Sequence, residues 1–303
     1  MLFKKVISER LGEKMKEKFK YKNEKEILEC KEREGVCFLT FKGISECGKV
    51  VHGFSTRMGG VSEGIYSSMN LSYTRGDKKE AVTENFRRFA KALGVEPENY
   101  VFSDQTHTDN IRVVTEKDRG KGFLRPLDYT DVDGLVTNVK GLVLSTFYAD
   151  CVPLYFVDPV KEVIGLSHSG WKGTVAEIGR KTIEVMVKEF GSETKDILVA
   201  IAPSICRECY EVSEDVAEAF KKLFSVEEQD AIMDDKGNGK YQLDLWECNK
   251  RILLRNGIRQ ENLFVTNICT CCNSEFLFSH RASQGKRGNL GAFLMLTPKD
   301  GMK

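Results

Sequence analysis

From Val36 onward the chain is a succession of short apolar runs, none much longer than a strand, separated by turns that carry Gly and Asp. The runs are VCFLTF (36–41), VVHGFST (50–56), NYVFSDQTH (99–107), IRVVT (111–115), LVLSTFYADC (142–151), PLYFVDP (153–159), EVIGLSH (162–168), DILVAIAP (196–203), LFVTNICT (263–270) and AFLMLT (292–297). Their length and their β-branched and aromatic content predict strands. None approaches the ~20 apolar residues that cross a bilayer. Four stretches carry helical spacing instead: 78–93, 174–190, 213–224 and 244–256. Thr174 with Glu177 reads as a capping box for the second, Ser213 and Asp244 as caps for the next two, and Gly94 and Gly257 as stops. Strands outnumber helices and often follow one another directly. That order predicts α+β layers rather than βαβ alternation.

Residues 1–35 have a different texture, dense in Lys and Glu, with Leu2, Val6, Leu11 and Met15 at roughly helical spacing. They predict a charged, solvated helical arm ahead of one domain at 36–303, with no repeat or linker inside it. Charge is balanced, 46 Lys plus Arg against 45 Asp plus Glu. No global field draws the chain to nucleic acid or an anionic membrane, and any anion site is local. The ten cysteines follow a charged start without an apolar signal core, so the expected setting is the reducing cytoplasm, with thiols free or metal-bound.

The histidines are His52, His107, His168 and His280, each in or at the end of a strand-like run. The ordinary fate of such a residue is a hydrogen-bonded place in the core, but the surroundings of two of them point elsewhere. His168 opens SHSGWKGT (167–174), a strand running into small residues, a lysine and a helix start. Unpaired N–H groups at that start, with Lys172 and Gly173, would suit a phosphate or oxyanion; an ordinary tight turn is the alternative. Cys151 sits in FYADCVPLYF, where Asp150 interrupts an apolar stretch and needs a partner. Cys151 reads as a metal ligand, a nucleophile beside a histidine, or a buried thiol. His107 lies in the polar turn SDQTHTDN. Two His and one Cys, 44 and 17 residues apart, form a donor set known from catalytic zinc, although no short spacing rule defines it. Cys206 and Cys209 make C-x-x-C in SICRECY, followed by Cys269, Cys271 and Cys272 in ICTCC. A structural four-cysteine zinc site, a redox pair and incidental buried thiols are all open; the second group is expected in a strand-like run without the usual C-x-x-C turn. Arg57 in STRMGG and Arg281 in SHRAS, with Lys172, could clamp a phosphate if they converge.

These segments together resemble the YfiH family of laccase-domain, or multicopper polyphenol oxidase, proteins over about residues 37–298. The likeness rests on HGFSTRMGGVS (52–62), SSMNLS (67–72), QTH (105–107), DVDGLVT (131–137), ADCVPL (149–154), HSGWKG (168–173), APSICRECYEV (202–212), NICT (267–270) and FLFSHR (276–281), in that order. The resemblance implies a layered α/β/β/α sandwich with mixed sheets, similar to the catalytic domain of cytotoxic necrotising factor toxins. It implies zinc, with copper as the alternative, on His107, Cys151 and His168. It implies phosphorolysis of adenosine, inosine and methylthioadenosine with adenosine deamination, by a monomer or homodimer acting on small molecules. Asp150 joins the trio as a catalytic acid, and Arg57, Asn70, Lys172, Gly173 and Arg281 form the expected substrate and phosphate set. The chain reads HSGWKG where the family usually has HAGWRG, exchanging a planar guanidinium for a point charge. The rival readings are a metal-free Cys–His hydrolase, with peptidoglycan-precursor editing as one example, and copper-dependent polyphenol oxidation.

Overall fold

The computed structural model describes residues 17–298. Its strands are β1 (Leu28–Arg33), β2 (Val36–Phe41), β3 (Val50–Ser55), β4 (Tyr100–Phe102), β5 (Ile111–Val113), β6 (Gly134–Thr137), β7 (Val143–Tyr148), β8 (Val152–Asp158), β9 (Val163–Ser169), β10 (Leu198–Ile201), β11 (Glu211–Ser213), β12 (Met233–Gly237), β13 (Lys240–Leu243), β14 (Leu263–Val265) and β15 (Leu290–Leu296). One six-stranded sheet has the order β1-β2-β3-β15-β7-β4 and a second the order β14-β10-β8-β9-β6-β5. Each mixes parallel and antiparallel pairs.

The sheets pack face to face. Leu39, Phe41, Phe54 and Leu144 from the first meet Tyr155, Val157, Ile164 and Leu166 from the second in one buried cluster. The Tyr155 hydroxyl donates across the interface to the carbonyl of Gly53 at 2.9 Å. The outer face of the first sheet is covered by the helix Lys79–Leu93 through Phe86 and Phe89. The outer face of the second is covered by the helices Ile178–Phe190, Glu214–Leu223 and Leu245–Arg255. The result is an α/β/β/α sandwich, as expected. β8, β9 and β15 are buried along their whole length because both their faces are covered, which is why they read as continuous apolar runs. Among the described residues no helix is long and apolar enough to cross a membrane.

Three local expectations fail for identifiable reasons. The first 16 residues of the predicted arm lie outside the described residues, but Leu28–Arg33 is a strand, paired antiparallel with β2 from Leu28↔Phe41 to Arg33↔Val36. Its Glu and Lys residues suggested a solvated helix; they are the charged side chains of an edge strand, which deter further pairing. The stretch 174–190 is two helices, Trp171–Val175 and Ile178–Phe190, broken at Glu177, whose φ is 56°. The Thr174 hydroxyl donates to the carbonyl of Gly170, so the expected capping box does not form. Ser213 does not cap its helix, whereas Asp244 accepts from the N–H of Glu247 at 3.0 Å and does. Gly94 ends its helix in the left-handed region (φ 75°), a conformation that costs a residue with a Cβ.

Candidate metal centre and its cavity

Two chain segments cross from one sheet to the other at the same end of the sandwich. The loop between β4 and β5 carries His107, and the three-residue link between β7 and β8 carries Cys151. His168 lies near the end of β9, opposite Pro153 in the β8–β9 ladder, so the ladder register sets it beside the start of β8 and thus beside Cys151. The ligand atoms of His107, Cys151 and His168 lie within 4.8 Å of one another. The Cys151 Sγ is 3.8 Å from the His107 Nε2, and the two imidazole rings stand nearly perpendicular, with centroids 4.8 Å apart.

Asp133 organises this trio. It is fully buried at the entry to β6. Its carboxylate accepts from the backbone N–H groups of Thr106, His107 and Thr108 at 3.0–3.2 Å and from the Thr108 hydroxyl at 3.1 Å. It also accepts from the Nδ1 of His168 at 2.6 Å, which leaves the other ring nitrogen of His168 for a ligand role. Burial pushes the Asp133 carboxyl up, but the bonds from His168 and the backbone hold it below the usual range. His107 has φ 67°, and the three backbone N–H bonds to Asp133 just named keep its turn in that conformation. Gly170 clears the space between the ligands: a Cβ there would stand 2.9 Å from the Cδ2 of His107 and 3.3 Å from the Cys151 Sγ. Burial would raise the Cys151 thiol, yet His168 and His107 beside it outweigh burial and hold it well below its usual range. Burial likewise opposes the charge on His168, and Cys151 and Asp133 overcome it. Both shifts favour the charged form, and for Cys151 that is the thiolate, the form that ligates metal or attacks carbon.

The trio opens onto a cavity of about 470 Å³. Tyr73, Phe86, Phe102 and Phe147 provide an aromatic wall, Asp104 the one carboxylate among the described lining residues, and Arg75 and Arg287 the cations. Arg287 is 8 % exposed and its Nε has no partner. Burial depresses its pKa to about 10, so it stays charged at neutral pH; its Nη1 donates to Gly288 and Asn289, and no carboxylate among the described residues pairs with it.

The remaining predicted site residues fall elsewhere. Arg57 donates to the carbonyls of Ser67 and Ser274 and stacks over Phe278, lining a neighbouring depression that shares Arg287 with the cavity. Arg281 likewise donates to the carbonyls of Cys209 and Glu211. Lys172 is exposed and lies over Trp171, away from the cavity lining. Its helix is a single turn that starts three residues earlier than expected. Gly173 lets that turn pack closely on the carbonyls of His168 and Thr108, 3.3 Å from where a Cβ would sit. Asn70 is a buried clasp between Asp77 and Asn289. Asp150 accepts from the Thr270 hydroxyl and the N–H of Arg281, both at 2.7 Å, and its carboxylate does not line the cavity. Sequence reasoning missed Asp133, Asp104, Arg75 and Arg287. For Asp133 a signal existed, since an Asp entering the apolar run GLVT carries the same burial cost already noted for Asp150.

Residues 51–297 match the family model described as multi-copper polyphenol oxidoreductase laccase. The chain is 38 % identical over 249 residues to the purine nucleoside phosphorylase YlmD of Bacillus subtilis, covering 81 % of this chain and 88 % of that protein. It is 34 % identical over 240 residues to the adenosine deaminase RL5 of an unknown prokaryotic organism, covering 76 % and 88 %. The crystal structure of the hypothetical protein YfiH of Bacillus licheniformis superposes with a TM-score of 0.82 at 34 % identity, covering 86 % of this chain and 96 % of that one.

Proposed function

Because this chain belongs to the multi-copper polyphenol oxidoreductase laccase family, to which the YfiH-type proteins are assigned, we propose that it is a zinc-dependent purine nucleoside phosphorylase acting on adenosine, inosine and methylthioadenosine, with adenosine deaminase activity. The observation that carries this reading is the position of Arg287: a buried guanidinium with an unpartnered Nε on the wall of the cavity that the His107–Cys151–His168 trio faces. A nucleoside and an oxyanion would therefore meet beside the trio.

The donor set fits zinc. Two imidazoles and one thiolate with ligand atoms within 4.8 Å suit a tetrahedral ion that keeps its fourth position for water or substrate. Bound there, zinc supplies Lewis-acid polarisation of whatever occupies that position. Asp133 fixes the His168 ring and the His107 turn for ligation. The aromatic wall takes the flat purine, and Asp104 can accept hydrogen bonds from its N–H edge. Arg287, with Arg75 at the rim, holds phosphate so that an oxygen attacks C1′ while the C1′–N9 bond breaks and its electron pair leaves with the base. This set replaces Arg57, Lys172 and Arg281 as the phosphate clamp. Ten cysteines without a disulfide fit a reducing, cytoplasmic setting.

Copper chemistry of the multinuclear kind is disfavoured by histidine supply. His52 is a neutral core residue whose Nε2 accepts from the N–H of Phe41, and His280 is exposed beside Gly285, so two imidazoles remain at the site. The thiolate–imidazolium pair with Asp133 behind it favours one second reading, a metal-free Cys–His hydrolase. The test is production of free base and ribose 1-phosphate from adenosine or inosine, with and without phosphate, by native and Cys151→Ala protein. Phosphate-dependent release lost with the thiol is expected. Activity retained by Cys151→Ala would overturn the proposal, and covalent trapping of Cys151 in a fully active zinc-free enzyme would support the hydrolase.

A further inference from the structure

We propose that Cys206, Cys209, Cys269 and Cys272 bind a second zinc ion in a closed, four-thiolate structural site that ties the loop after β10 to the loop after β14. β10 and β14 are parallel neighbours, paired from Val199↔Leu263 to Ile201↔Val265, so the loops leaving their ends emerge side by side. Each loop contributes a C-x-x-C pair: 206 with 209 on a short 3₁₀ turn, and 269, bridged in parallel to Ser204, with 272 on the run of turns that follows. Cys271, between the last two, stands outside the group.

All four sulfurs lie within 4.8 Å of one another. The Cys272 Sγ is 3.5 Å from that of Cys209 and 3.9 Å from that of Cys206. Four sulfurs about 2.3 Å from a tetrahedral zinc are roughly 3.8 Å apart, whereas a disulfide holds its sulfurs at about 2 Å. The sulfurs thus sit at ligand spacing, with all four cysteines free. The backbone N–H groups of Cys206 and Cys272 both point at the Cys269 Sγ, at 3.3 and 3.4 Å. Such donors stabilise a thiolate bound to metal and gain little from a neutral thiol. The ammonium of Lys22 pairs with Glu208 at 3.0 Å in the neighbourhood of Cys206 and Cys272, and would offset part of the negative charge that four thiolates leave on a divalent ion. Cys206 and Cys269 are buried and the other two half-buried. A complete set of four protein ligands leaves no position for substrate, which is the mark of a structural site.

The two loops also hold the link that carries Cys151. Thr270, between two of the cysteines, donates to the Asp150 carboxylate, and the N–H of Ile205, beside Cys206, donates to the Asp150 carbonyl at 3.0 Å. Asp150 itself has φ 88°, so its conformation depends on such partners.

Native mass spectrometry and elemental analysis of the full chain, expressed with zinc, test the proposal. Two zinc ions per chain are expected, and one in Cys151→Ala. Replacing zinc with cobalt in Cys151→Ala should give the near-ultraviolet thiolate-to-cobalt charge transfer and the intense visible d–d bands of a four-thiolate tetrahedral centre. Thiol-alkylation mapping should find these four cysteines protected until chelator is added. Cys151→Ala keeps the proposed site whole, so the test does not depend on a ligand variant that folds. A metal-free Cys151→Ala protein, a cobalt spectrum with fewer than four sulfurs, or a disulfide among the four would each overturn it.

Discussion

The two cysteine-bearing clusters use related ligands for opposite ends. The His107–Cys151–His168 trio offers three donors, is anchored from one side by Asp133, and faces a cavity of about 470 Å³. The Cys206–Cys209–Cys269–Cys272 group offers four donors on two adjacent loops. Two donors on links between sheets and a third at a strand end leave a reactive face, whereas four donors on the loops after two neighbouring strands close upon themselves. Ligand count and the place of each loop in the topology separate chemistry from scaffolding here, more than the identity of any one residue does.

The largest difference should come from breaking each cluster in turn. Cys151→Ala should lower phosphorolysis on the order of 10³-fold, the several kcal/mol that a lost Lewis acid costs, with little change in melting temperature. Cys269→Ser should do the reverse, lowering stability by roughly 3 kcal/mol while zinc-saturated activity falls only a few-fold; thermal denaturation beside initial rates reads both. Equal effects of the two variants on both readouts would erase the distinction. Asp133→Asn should weaken zinc at the trio by about 10–100-fold, read by chelator competition, and leave the four-thiolate centre loaded. Arg287→Ala should raise the KM for phosphate by about tenfold or more, as loss of a charge-assisted bond implies. Arg57→Ala should leave that KM alone and cost about 1–3 kcal/mol of stability, because its bonds go to the carbonyls of Ser67 and Ser274.

A dependence on pH separates acid lability of the metal sites from that of the core. Burial, and then Lys31, lower the pKa of His52 to about 3. The unfolded chain takes up a proton near pH 6.5, while the folded chain does not until about pH 3. The stability His52 lends is therefore present above 6.5 and drains as pH falls toward 3, by up to about 1.4 kcal/mol per pH unit. Denaturant titration of the chelated protein should show this slope, and His52→Gln should flatten it.

Much of this was legible in the chain. Apolar runs at β8, β9 and β15 announced strands, and strand following strand announced α+β layers. The trio was readable because an Asp-Cys and two His-bearing turns interrupted such runs. What the sequence hid depends on convergence. Arg57 and Arg287 are alike in one dimension, and only the folded chain shows that Arg287 lines the cavity while Arg57 spends its guanidinium on the carbonyls of Ser67 and Ser274. Asp133 was quoted in DVDGLVT but not weighed, since its role needs three N–H groups and an imidazole brought from 25 to 35 residues away. The pairing of Cys206 and Cys209 with Cys269 and Cys272 required knowing that β10 and β14 are adjacent and parallel.

An anomalous-difference map at the zinc edge, from crystals of protein shown to phosphorolyse adenosine, tests the central claim most directly. The account predicts a peak within bonding reach of the His107, Cys151 and His168 donors, on the side that opens to the cavity. No density among those three side chains in fully active protein would contradict it.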